Sequence, residues 1–147
     1  MANTREQIAN DIVAVLESVT NPVTIRFVSR QPSTAIDLSD KQYPAVFVRT
    51  AQEERTDESM ASSTSRFGRI DYTITGFIKA EGEQNMDTER NNLIEAIEEA
   101  LEADRKRNNL CMNSSITNIT TDEGDQFPIA RIDINYQVLY KYTRGTV

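Results

Sequence analysis

The feature that most constrains the fold is an alternation of apolar and polar residues near the end of the chain. Side chains of a β-strand point alternately to opposite faces, so this pattern predicts a long strand with one buried face and one mostly wet face. We therefore expect a main strand of a sheet whose buried face is covered by helices. The apolar positions are Ile132, Ile134, Tyr136, Val138, Tyr140 and Tyr142, and the intervening ones are Arg131, Asp133, Asn135, Gln137, Leu139 and Lys141.

Two other segments carry apolar residues at spacings of three and four, which is typical of amphipathic helices. The first is predicted over Thr4–Val19 and should end at Asn21-Pro22, because proline disfavours the helical conformation of the residue before it. The second is predicted from Asp87, as its N-cap, to about Arg105. The basic triplet at residues 105–107 then suits the negative end of the helix dipole.

Four more segments are rich in β-branched or aromatic residues and predict strands. Together with the long C-terminal strand they give the element order αβββαββ. This order predicts one α+β domain over residues 1–147, in two layers, with both helices on one face of a mainly antiparallel sheet. The four segments are Val23–Val28, Pro44–Thr50, Arg66–Lys79 and Ser115–Thr121.

The stretch from Gln52 to Ser65 is long, polar and almost free of residues to bury. We interpret residues 52–65 as a flexible polar loop, with the extended arm of a hairpin as the structural alternative. The functional alternative is a segment that becomes ordered against a partner. A loop of this length is unusual in a compact domain, and this makes the segment a candidate contact region.

Composition argues against most enzyme chemistry. The chain has 147 residues, no histidine and a single cysteine, Cys111, so His-based general bases and Cys-based zinc sites are excluded. Asp71 and Asp133 could form a carboxylate pair on the wet sheet face, but nothing nearby sets their pKa values apart. Asp122–Asp125 holds only a fragment of a calcium-loop spacing. We predict a protein that is not an enzyme and uses no cofactor or metal.

The net charge of −7 opposes tight binding of nucleic acid, which needs clustered lysine and arginine. No apolar run approaches the ~20 residues of a membrane span, so no membrane partner is expected. The first residues contain no apolar signal region, and we expect no export. What remains as a functional feature is surface. A polar sheet face with a few large apolar side chains suits contact between subunits, and the structural alternative is a solvated face, which antiparallel sheets allow.

The phrase Lys41-Gln-Tyr-Pro-Ala-Val-Phe-Val-Arg-Thr50 follows a helix, a strand and a loop. In this order, and with the polar segment, the Glu-rich helix and the long final strand that come later, the chain resembles the tail terminator proteins of tailed bacteriophages, the family of the lambda-like minor tail protein U. The resemblance covers most of the chain and brings no catalytic residues with it.

The resemblance implies a virion structural protein of the tail and neck, made in the host cytoplasm. It implies a homo-oligomer, a hexameric ring, that caps the tail tube, ends tail polymerisation and meets a head-side connector or completion protein. DNA would pass through its lumen only as cargo. The alternatives are another neck, head–tail completion or baseplate component, or, in a different class, a small cytoplasmic binding module or a carboxylate-dependent hydrolase.

The candidate interface combines the polar stretch with the wet face of the sheet. Its predicted residues are Glu53, Glu54, Arg55, Asp57, Glu58, Met60, Phe77, Arg131, Asp133, Asn135, Gln137 and Leu139.

Overall fold

A computed structural model describes residues 4–20, 23–30, 43–59, 62–79, 83–107, 110–121 and 129–143. The predicted α+β class and the order αβββαββ are confirmed. The elements are α1 (Thr4–Glu17), β1 (Phe27–Ser29), β2 (Ala45–Ser59), β3 (Ser62–Lys79), α2 (Glu83–Glu102), β4 (Asn113–Thr121) and β5 (Ile129–Thr143).

The five strands form one sheet in the order β1-β2-β3-β5-β4. Among the described strands only β1 and β2 run parallel, and every other neighbouring pair is antiparallel. The C-terminal strand β5 pairs with β3 along its whole length, from Ile129 opposite Lys79 to Thr143 opposite Ser65. It also pairs with β4 on its other side, so the strand predicted to be a main strand lies inside the sheet.

Both helices pack on the face that carries the apolar alternation, as predicted. Apolar side chains of this size gain about 1.5–3 kcal/mol each on full burial, so this layer supplies the main driving force for folding. The fully buried side chains include Ile8, Ile12 and Leu16 of α1, Leu93, Ile97 and Leu101 of α2, Ile70, Tyr72 and Ile74 of β3, and Ile134, Tyr136, Val138 and Tyr140 of β5.

The predicted starts of α2 and β1 are each wrong by four residues. Helix α2 begins at Glu83, so Asp87 is inside the helix and accepts hydrogen bonds from Arg90 and Asn91 instead of capping it. The extra turn is favoured by Met86, which is buried in the core cluster. Strand β1 begins at Phe27 and not at Val23, so the first strand is shorter than its β-rich sequence indicates.

The interpretation of residues 52–65 as a loop is also corrected. Residues 52–59 belong to β2 and residues 62–65 to β3, and the two strands pair up to Ser59 opposite Ser62. The hairpin arm, which the sequence left as the alternative, is the observed structure. Cross-strand pairing satisfies the backbone donors and acceptors of a segment that has little to bury.

The strands are much longer than the helices that cover them. The 18 residues of β3 span about 60 Å at about 3.3 Å per residue, whereas the 20 residues of α2 span about 30 Å. The described start of α1 lies near Tyr72, whose hydroxyl donates to the Arg5 carbonyl at 3.4 Å. The hairpin beyond Gly68 therefore extends past the described helices by about 20 Å.

A buried arginine closes the end of α2. Arg107 has a φ of 46° and is fully buried. Its guanidinium donates to the carbonyls of Leu101 at 2.8 Å and Asp104 at 2.7 Å, and Nη1 lies 3.4 Å from Asp11 Oδ2 of α1. Burial raises the pKa of the Asp11 carboxyl, and the Arg107 charge partly offsets that effect. Of the basic triplet at residues 105–107, Arg107 is therefore the residue that caps the end of α2.

Candidate subunit-interaction surface

The sheet face opposite the helices, here called the outer face, carries mainly polar side chains on four strands. In the cross-strand register they lie side by side and form a broad surface. Its polar members are Arg49, Gln52 and Glu54 of β2, Arg69, Asp71, Thr73 and Thr75 of β3, Arg131, Asp133, Asn135 and Gln137 of β5, and Ser115, Asn118 and Thr120 of β4.

Hydrogen bonds across strands organise one half of the outer face. Thr75 donates from Oγ1 to Asp133 Oδ1 at 2.8 Å, and Arg131 Nε lies 3.1 Å from Asp133 Oδ2. On the far side of β5, Asn135 donates from Nδ2 to Thr117 Oγ1 at 3.0 Å. These polar groups satisfy one another, so this part of the face is ordered without being buried.

Asp71 is the centre of the other half. It accepts hydrogen bonds from Gln137 Nε2 at 3.3 Å and from Gln52 Nε2 at 3.3 Å. In the register Asp71 lies opposite Gln137, whereas Asp133 lies opposite Thr75. The two aspartates are therefore not paired with each other, and no shared-proton carboxylate site exists between them.

One end of the outer face consists of apolar side chains that pack against one another and are largely buried. Phe47 packs edge-on against Phe27 and Phe77, with ring centroids 5.9 and 5.8 Å apart. Tyr43 and Ala45 complete this cluster. Phe77, a predicted contact residue, is only 5% exposed, so in the single chain it offers little surface to a partner.

Glu53 lies on the other side of the sheet from its predicted neighbours. A β-bulge between Thr50 and Gln52 shifts the register, and Glu53 pairs with Ile70, whose side chain is in the helix-covered core. Tyr140 donates its hydroxyl to Glu53 Oε2 at 2.9 Å, and Arg5 of α1 lies 3.6 Å from Oε1. Glu53, predicted as a contact residue because it belongs to the polar stretch, therefore lies on the helix side of the sheet, because the bulge reverses the alternation.

The remaining predicted residues divide into four groups. Glu54 follows the bulge onto the outer face and forms an ion pair with Arg69. The backbones of Arg55, Asp57 and Glu58 lie in β2, where Arg55 pairs with Gly68 and Asp57 with Arg66. Met60 falls outside the described residues. Arg131, Asp133, Asn135, Gln137 and Leu139 occupy successive outward positions of β5, as the alternation predicts.

A second surface was not predicted: a groove of about 510 Å³ between α2 and β4. It is lined by Glu98 and Glu102 of α2 and by residues 116–119 of β4. A bulge between Ile116 and Asn118 places Ile116 and Ile119 on the same side of the sheet. The Glu-rich helix face was visible in the sequence, but its position beside an edge strand depends on the sheet order.

The described residues show no metal centre and no membrane helix. No group of three or more histidine, cysteine, aspartate or glutamate side chains among them is arranged to hold a metal ion. No helix in the described ranges is long and apolar enough to cross a membrane. Burial raises the pKa of the Cys111 thiol to about 11, so this cysteine is protonated near neutral pH and is a poor nucleophile.

Comparison with known proteins adds little to this geometry. No family model matches the sequence, and no curated protein matches it. Among solved structures, the chain is similar to one from the "Virion of native gene transfer agent (GTA) particle", with a TM-score of 0.39 and 12% identity over 96% of this chain and 92% of that chain. A similarity of this size carries no argument about function. The resemblance to tail terminators therefore stays a prediction from the sequence.

Proposed function

We propose that this protein is a virion structural protein that assembles into a ring on the end of a tail tube, stops tube polymerisation and joins the tail to the head-side connector. The observation that carries the proposal is the outer face: a broad, ordered and polar sheet surface that no described helix covers. The resemblance carried by residues 41–50 supplies the particular role, and the geometry is compatible with it.

The charge of the outer face supports contact with other proteins. Its described charged residues are four cations, Arg49, Arg69, Lys79 and Arg131, and three carboxylates, Glu54, Asp71 and Asp133. The face is close to neutral although the whole chain carries −7. A nearly neutral surface can meet another protein without strong repulsion, and arginine is enriched in contact regions.

The long hairpin supports the same role. Beyond Gly68 the paired backbones of β2 and β3, with the end of β5, form a three-stranded extension of the sheet. An extension that leaves the helix-covered body is suited to reach a neighbouring subunit or the tube. An excess of acidic residues elsewhere on the chain would let DNA pass a lumen without adhering, because phosphate binding needs clustered cations.

Ring formation and tube capping test the proposal together. Purified protein is measured by mass photometry at two concentrations, alone and with tube protein, and tube lengths are measured in negative-stain images. We expect rings whose abundance rises with concentration, and tubes that stop growing when the protein is added. Monomers alone, with and without tube protein, would contradict the proposal.

A matched pair of variants assigns the contact to the outer face. Asn135→Arg places a new charge at the centre of the outer face, whereas Asn91→Arg places the same charge on the exposed side of α2. We expect the first variant to cap tubes at least tenfold less efficiently and the second to behave as the native protein. Immunogold labelling at the distal tail tip instead of the neck would argue for a baseplate component.

A further inference from the structure

Strand β4 forms an open edge of the described sheet. It pairs with β5 on one side, and it is the last strand in the order β1-β2-β3-β5-β4. Its nine residues, Asn113–Thr121, include no charged residue and no proline. Charged side chains and proline are the usual devices that prevent strand addition at an edge, and β4 keeps only a bulge at Thr117. This edge is therefore chemically suited to receive another strand.

The groove between α2 and β4 specifies the charge of that strand. Ile116 and Ile119 form its apolar floor and pack against the core cluster. The exposed side chains of Glu98 and Glu102 stand at its helix side. Glu102 has one weak ion pair, with Arg105 at 4.0 Å, and both residues of that pair are largely exposed. A strand added to β4 would meet two carboxylates on its helix side, so it should carry a cation there.

The opposite edge of the same sheet carries such a cation. Strand β1 is the first strand in the order, and Arg26 precedes it directly. Val28 packs against the helix-side core. Arg26 is on the same side, where it lines a groove with Ile78, Glu89 and Leu93. Arg26 is exposed and makes no ion pair with a described residue. Arg30, on the same side, is already bound to Glu6 and Asn10 of α1.

We propose that the β1 edge of one copy docks against the β4 edge of a second copy, with Arg26 facing Glu98 and Glu102. Strands β1, β2 and β5 run one way and β3 and β4 run the other way. In copies with the same strand direction, β4 therefore meets β1 as an antiparallel neighbour. Two different edges meet, so the contact is head-to-tail, and such contacts close into rings when the rotation permits.

A second copy also offers part of β2 as an open edge, and the charges of the two edges favour β1. Beyond Phe47 no described strand covers β2, so part of β2 is also an open edge. That part carries the run Gln52-Glu-Glu-Arg-Thr-Asp-Glu58, which is mostly acidic. It would bring further carboxylates towards Glu98 and Glu102, and like charges in close contact oppose association. The β1 edge is the cationic one.

This inference rests on the proposed ring, and paired charge reversals test it. Glu98→Lys with Glu102→Lys makes both edges of a copy cationic, and Arg26→Glu makes both edges anionic. We expect each variant alone to lose rings, with at least a tenfold rise in the concentration needed for assembly. An equimolar mixture should restore them, because every contact then joins opposite charges, and an even-numbered ring closes with alternating copies.

The control is Glu95→Lys with Glu99→Lys, which changes the net charge equally at two exposed positions of α2 that do not line the groove. We expect this variant to form rings as the native protein does, and circular dichroism should show that all variants are folded. If both charge-reversed variants still form rings as the native protein does, the edge contact is wrong and the proposed function is unaffected. A native protein that forms no ring would overturn both proposals.

Cross-linking gives a second readout that does not depend on loss of assembly. Arg26→Lys introduces an amine that a carbodiimide can couple directly to a carboxylate in contact with it. Within one chain β1 and β4 are separated by three strands, which is about 19 Å from edge to edge. A linked peptide pair that joins the new amine at position 26 to Glu98 or Glu102 is assigned to two copies when it forms in rings and is absent from the monomer. We expect this product in rings, and its absence from assembled rings would overturn the contact.

Discussion

The two faces of the sheet are built from alternate residues of the same strands, yet their side chains lie in different environments. On the helix-covered face, isoleucine, valine and tyrosine side chains of β3 and β5 are fully buried. On the outer face, the residues between them form hydrogen bonds to one another and stay accessible to solvent. The difference indicates that the packed core and the polar outer-face network are separated by one position along each regular strand.

The largest loss of stability is expected at Arg107, which joins the end of α2 to α1. Arg107→Ala removes a fully buried cation and leaves the Leu101 and Asp104 carbonyls and Asp11 without its hydrogen bonds. Loss of one member of a buried ionic contact costs about 3–5 kcal/mol, and we expect a loss of this size in the free energy of urea unfolding. The neighbouring exposed Lys106→Ala should change it by less than about 0.5 kcal/mol. Similar effects of both variants would contradict the capping role.

Neighbouring residues on β5 compare the two faces directly. Ile134→Ala creates a cavity under the helices and should lower the free energy of unfolding by about 2–5 kcal/mol. Asn135→Ala removes one hydrogen bond to Thr117 on the outer face and should cost about 0.5–1.5 kcal/mol. Chemical denaturation of the monomer measures both. An equal cost would mean that the outer face also contributes to the core.

A smaller effect is expected at Gly68, where β3 lies against the Tyr140 ring. A Cβ atom added at Gly68 would lie 2.8 Å from Tyr140 Cζ, which is closer than real Cβ contacts allow. Gly68→Ala should therefore destabilise the fold by about 1–3 kcal/mol. Combining it with Tyr140→Leu removes the ring, and the double variant should lose less than the sum of the single changes. Simple additivity would show that the ring is not what excludes a side chain.

The smallest effect is expected within the outer-face network. Thr75→Val removes the hydroxyl that donates to Asp133, which keeps its contact with Arg131, and should cost about 1 kcal/mol. Thr73→Val is the matched control on the same strand and face, and its hydroxyl bonds to no described residue. Its effect should stay within about 0.5 kcal/mol. Thermal unfolding followed by circular dichroism separates the two, and a larger loss in Thr73→Val would contradict the assigned network.

Local patterns were sufficient for much of the fold. The alternation through residues 132–142 predicted β5 and its buried face, and helical spacing predicted α1 and most of α2. These predictions failed where a contact with another part of the chain determines the local structure. The start of α2 depended on the burial of Met86. Residues 52–59 and 62–65 became strands because pairing between β2 and β3 satisfies a backbone that has little apolar side-chain surface.

The sequence by itself determined which residues of β5 face the core and which face outward, because the period of a regular strand is two and needs no neighbour to define it. Only the tertiary structure decided which side chains of β2 and β4 face the helices and which face outward. A single bulged residue in each strand reverses the alternation, which turns Glu53 towards Tyr140 and brings Ile116 and Ile119 to one side. The sheet order likewise decided that Arg26 lies at the β1 edge and that Glu98 and Glu102 lie beside the β4 edge, since strand neighbours are chosen by long-range pairing.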